Sequence, residues 1–141
     1  MQVVLLLAER KEQDAGQQLS QQRAQVISEE EQLRQLDDYA SQYLATYSAR
    51  KTDVRPHELI AYSGFIQRLG DARKEQQAKL ERMRKVTERL QQAWHVAHHK
   101  CESIKELIAR LGQEENALLD KRLQKELDEL VGQQYSRKDI Q

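Results

Sequence analysis

The 141-residue chain carries 23 basic and 23 acidic residues and no net charge at pH 7, with one Pro, one Cys and only 5% aromatic residues. A charge so balanced excludes a polyanion binder built on an uncompensated basic stripe, and aromatics this scarce argue against a globular core. One-third charged and rich in Glu, Lys, Arg, Gln, Leu and Ala, the chain has the composition of a coiled coil or long helix.

Disorder is the competing reading of so polar a chain, and sustained periodicity decides against it. The apolar run over residues 3–8 is too short for a membrane span and lacks the basic flank of a secretory signal, so it reads as the first turns of a helix. The single Cys implies no intrachain disulfide and suits a reducing cytosol.

Helix 1 is expected over about residues 3–50. Its three-four seam is Leu5, Ala8, Glu12, Ala15, Leu19, Gln22, Val26, Glu29, Leu33, Leu36, Ala40, Tyr43 and Tyr47. Glu12, Gln22 and Glu29 interrupt it with polar layers, which weaken a two-stranded seam and fix its register. A turn follows at about 51–56, where Ser, Thr and Asp precede Pro56, a residue suited to a first helical turn. Helix 2 is expected over about 57–134, with a bend or frayed turn between Gly64 and Gly70 and a polar tail at 135–141.

The second seam runs Leu80, Met83, Thr87, Leu90, Trp94, Ala97, Cys101, Ile104, Ile108 and Leu111. Trp94 is expected opposite Ala15 and Leu19, with Ala15 leaving room for the indole. Two helices with a short connection must be antiparallel neighbours. Charge agrees: Glu29, Glu30, Glu31, Asp37 and Asp38 would face Arg68, Arg73, Lys74, Lys79, Arg82, Arg84 and Lys85. The fold class is therefore all-α: one antiparallel two-helix coiled coil, a long helical hairpin filling a single domain 1–141. Helix 1 runs out near Ile104, which leaves a C-terminal overhang of helix 2 at about 106–134. There Leu118, Leu119, Leu123, Leu127 and Leu130 form a stripe with nothing in this chain to cover it, the pattern of a partner site.

No catalytic constellation is legible: there is no Gly-rich phosphate loop, and a Cys on a seam is usually inert. His95 and His99 could share one ion from a single helix face, but without a carboxylate ligand the pair reads as a solvated face. The basic run at 82–85 reads as structural, being flanked by Glu81 and Glu88 and opposed by the acids of helix 1. Tyr39 lies off the seam beside Leu36 and Gln32 and makes an exposed aromatic edge, the kind of surface enriched at interfaces. Neither an enzyme, a cofactor, a metal nor nucleic acid is implied.

Specific residues then carry a family likeness. Leu6-Leu7-Ala8-Glu9-Arg10, Glu31-Gln32-Leu33, Leu36-Asp37-Asp38-Tyr39 and Tyr43 resemble the flagellar export protein FliJ family. So do Tyr62-Ser63-Gly64-Phe65-Ile66-Gln67-Arg68-Leu69 and the Trp94 region leading into residues 100–111. The resemblance implies a non-enzymatic, stalk-like hairpin of the bacterial cytoplasm, peripheral to the inner membrane and not inserted in it. It implies three partners in flagellar type III export: the export ATPase hexamer, the cytoplasmic domain of the export gate, and export chaperones. The family's gate-binding face maps onto Gln32, Leu36, Tyr39, Tyr43, Phe65, Leu69 and Ala72, with Gln76 standing where the family pattern has a histidine. The stripe from Leu118 to Leu130 is the expected ATPase-binding surface. The alternative reading is the equivalent stalk of a virulence-type secretion system, or a generic coiled-coil adaptor.

Overall fold

The computed structural model describes residues 1–50 and 55–140, with side chains as far as residue 137. The chain is all-α: α1 spans Gln2–Ala49 and α2 spans Pro56–Ile140. Together they form an antiparallel helical hairpin. At the end of α1 the Arg50 amide turns back onto the Tyr47 carbonyl at 3.0 Å. At the start of α2 the Arg55 carbonyl accepts from the amides of Glu58 and Leu59, both at 3.1 Å. Pro56 fills the position where no amide is needed, and the Glu58 carboxylate lies in the first turn, where the helix dipole favours it. The centre of the expected turn, with Asp53, lies outside the described residues.

Contacts divide the chain into two compact units, each containing a stretch of both helices. In the unit Glu12–Val96, cross-helix partners rise in number on α1 as they fall on α2. Gly16 meets Trp94, the Gln22 side chain donates to the Met83 carbonyl, Glu29 meets Gln76, Asp37 meets Arg73, and Tyr47 stacks on Tyr62. That order is the antiparallel register. Leu19, Val26 and Leu80 are buried here, and the other seam positions of this unit are half-buried.

The polar seam residues are satisfied. Gln22 Nε2 reaches the Met83 carbonyl at 3.2 Å, and Gln76 donates to both the backbone carbonyl and the carboxylate of Glu29. Lys79 Nζ adds an ion pair to Glu29 at 2.9 Å. These layers cost apolar burial, but each polar group fits only one alignment of the two helices.

The unit formed by Met1–Lys11 and Ala97–Gln141 is thinner. Ala8 and Cys101 are its buried residues, Cys101 wholly so, with Leu5, Ile104 and Ile108 half-buried. The seam was expected to close on Leu111, but that residue is 39% exposed and the neighbouring Gly112 is the better covered. A four-residue step from Ile108 follows the 3.6-residue helical period more closely than the three-residue step does.

Two other expectations differ from what is observed. The helix passes unbroken through the half-buried Gly64 and Gly70, each of which costs about 1 kcal/mol relative to Ala but does not interrupt the hydrogen-bond ladder. It also continues to Ile140, through residues expected as a polar tail, because no Pro follows Gln134 to stop it.

Candidate functional site: an aromatic edge and an open leucine stripe

The aromatic edge belongs to the Glu12–Val96 unit. Tyr39, Tyr43 and Tyr47 lie four apart on one face of α1, and the antiparallel register brings Tyr62 and Phe65 of α2 against them. Tyr47 and Tyr62 stack at 3.4 Å between ring centroids, and Tyr43 stacks on Tyr62 at 5.3 Å. Phe65 packs against Tyr43 at 4.5 Å and meets Tyr39 edge-on at 6.2 Å. Tyr39 also stacks on Tyr43 at 6.4 Å, yet it remains 53% exposed. A ring held by two neighbours while open to solvent has lost its rotamer freedom before any partner arrives.

The remaining residues mapped to this face divide in two. Gln32 is exposed on α1 and Leu36 is half-buried; on α2, Leu69 and Ala72 are half-buried. Gln76 does not join the aromatic group: its amide is spent inside the seam on Glu29.

Tyr62 was missed as a site residue from sequence. It lies between Tyr43 and Tyr47, and its buried hydroxyl has no hydrogen-bond partner. Burial, followed by the neighbouring Tyr47 and Tyr43 phenols, pushes its pKa up. The signal that marks it is its place three residues before Phe65, which puts it on the same helical face.

The charge layout around this edge is partly the expected one. Arg73 Nε lies 2.6 Å from Asp37 Oδ1, an ion pair without hydrogen-bond geometry, and Arg84 pairs with Glu30 at 3.4 Å. Glu31 and Asp38 do not cross to α2. Both pair with Arg34 on their own helix, at 2.5 and 3.1 Å. Three- and four-residue spacing puts that guanidinium closer than any base of α2.

The second surface is the C-terminal part of α2, in the other unit. Leu118, Leu119, Leu123, Leu127 and Leu130 are between 55 and 62% exposed. Val131 and Tyr135 extend the stripe and are exposed too, a continuation the sequence reading omitted. At the other end of the chain, and in the same unit, Val3, Val4, Leu6 and Leu7 are exposed while only Leu5 and Ala8 are covered.

Among the described residues no group of three or more His, Cys, Asp or Glu side chains could hold a metal ion. Among the described residues no helix is long and apolar enough to cross a membrane.

The fold and these surfaces define a two-helix coiled-coil protein whose chemistry lies on helix faces. The model of the flagellar FliJ protein family matches residues 1–139, and the chain belongs to that family. The family is a component of the flagellar protein export apparatus with no enzymatic activity of its own. No curated protein and no solved structure matches the chain.

Proposed function

We propose that the chain is a stalk of flagellar type III export that engages the export ATPase ring through one surface and the cytoplasmic domain of the export gate through another. The observation that carries this reading is the open stripe on α2. An apolar row this exposed, with acids Glu114, Glu115, Glu126, Asp128 and Glu129 interleaved, is suited to meet similar subunits of a ring in more than one rotational position. The exposed Val3, Val4, Leu6 and Leu7 of the same unit add apolar surface to it. The ATPase surface is thus assigned to Leu118, Leu119, Leu123, Leu127 and Leu130.

The gate surface is assigned to Gln32, Leu36, Tyr39, Tyr43, Phe65, Leu69 and Ala72, with Gln76 as the residue that holds its inner edge in register. Escort of export chaperones completes the role, and the site of action is the cytoplasmic face of the inner membrane. Family membership supports the flagellar system over a virulence-type one.

The experiment is a pair of binding measurements on the full chain. Tyr39→Ala and Phe65→Ala should each weaken binding to the gate domain about tenfold or more, with helix content unchanged and ATPase binding spared. Leu123→Ser with Leu127→Ser should do the reverse. Gate binding untouched by both aromatic substitutions would remove the gate assignment.

A further inference from the structure

Two adjoining hollows lie on one face of the Glu12–Val96 unit. One, of about 330 Å³, is lined by Gly16 and Trp94; the other, of about 270 Å³, by Ile27, Thr87 and Glu88; Arg23 borders both. Gly16, Arg23 and Ile27 follow one another at helical spacing on α1, as Arg84, Glu88, Gln91 and His95 do on α2. The hollows therefore form one groove along the hairpin, about four turns or roughly 20 Å long.

Three features mark the groove as a seat and not the ordinary cleft of a coiled coil. Ile27 stands on its flank, off the seam, 65% exposed. Trp94 lines the larger hollow, and its indole lies against Gly16, whose lack of a side chain leaves room for the ring: a methyl group there would meet it at 3.3 Å. Arg23 on one flank and Glu88 on the other enter no ion pair among the described residues, while Arg84 and Glu30 at the far end neutralise each other.

We propose that this groove seats a single amphipathic helix of a partner protein. Its apolar ridge would lie on Ile27 and along the Trp94 indole, with an acid facing Arg23 and a base facing Glu88. Packing a helix into an apolar trough between two others is a common mode of peptide recognition. The dimensions select this occupant over a second copy of the chain. A groove about four turns long and one helix wide falls well short of the roughly 1,600 Å² that a stable dimer interface buries, and a hairpin is two helices wide. The seat shares no residue with the aromatic edge or the leucine stripe, so it stands apart from the gate and ATPase assignments.

The chain's one Trp reports on the groove directly. The probe is a synthetic helical peptide of about sixteen residues, without aromatics. It carries Leu on one face, Glu along one border of that face and Lys along the other. A second peptide has the same composition in an order that destroys the apolar face. Titrated into the full chain, the first should shift Trp94 emission to the blue with saturation. The second should bind at least about tenfold more weakly.

Ile27→Glu should lower affinity for the first peptide about tenfold or more, with helix content and melting unchanged because Ile27 is exposed. Arg23→Glu should weaken it, and a peptide carrying Lys along both borders should restore it, since both flanks are then acidic. Equal binding of the two peptides, or full binding by the Ile27→Glu protein, overturns the proposal. So does sedimentation showing that the chain self-associates and that Ile27→Glu abolishes the association, since a second copy would then fill the groove.

Discussion

Two stretches of α2 carry apolar rows at helical spacing and meet opposite fates. Between Leu80 and Ile108 each step of three or four lands on a residue that α1 covers at least in part. Between Leu118 and Leu130 the steps land on leucines that are all more than half exposed. The second row advances by four and four from Leu119 to Leu127, which rotates it away from the three-four seam. Among the described residues α2 is covered as far as about Gly112.

The sharpest way to break this comparison is to truncate one leucine in each stretch. Leu80 is 2% exposed, so Leu80→Ala should cost about 3 kcal/mol in urea melts, from lost transfer energy plus the cavity left behind. Leu123→Ala should cost less than about 0.5 kcal/mol, as expected of a surface position. Similar losses at both sites would mean that the C-terminal stripe is covered within the chain.

Acid pH offers a second distinction, because only the paired stretch holds a carboxylate inside the seam. The hydrogen bond from Lys79, then that from Gln76, lowers the Glu29 pKa below its ordinary 4.5. A depressed folded-state value makes the charged form stabilising. The contribution is therefore complete above pH 4.5 and lost as pH falls through the lower folded-state value. Melting temperature should drop over that acid window, and Glu29→Gln should flatten the drop.

The smallest effects are expected at the glycines. A methyl group at Gly70 meets nothing within 4 Å, and Gly70 has helical backbone, so Gly70→Ala should stabilise by about 0.5–1 kcal/mol. Gly16→Ala should gain little or lose, since the new methyl would press on the Trp94 indole at 3.3 Å. Thermal melts of the two single variants check the sign of each.

The two seams, the antiparallel pairing and most of the cross-helix charge could be read from sequence because they depend on periodicity and on the break before Pro56. Individual partners could not. Arg34 takes Glu31 and Asp38 because a neighbour on the same helix turn outcompetes a base across the interface. Room for the Trp94 indole was expected from Ala15; the next residue, Gly16, lies against the ring. Of the aromatic edge, Tyr39 could be picked out by its offset from the seam. Tyr62 is marked in the sequence only by its place three residues before Phe65, and the register then sets it between Tyr43 and Tyr47.

The central claim is that the end of α2 exists for a partner and contributes little to the hairpin's own stability. Truncation after Leu111, followed by urea melting and by assembly of the export ATPase ring, tests it most directly. The account predicts that the shortened chain melts within about 0.5 kcal/mol of the full one, keeps gate binding and no longer promotes ring assembly. A shortened chain that still promotes ring assembly normally, or that loses its cooperative melt, would contradict it.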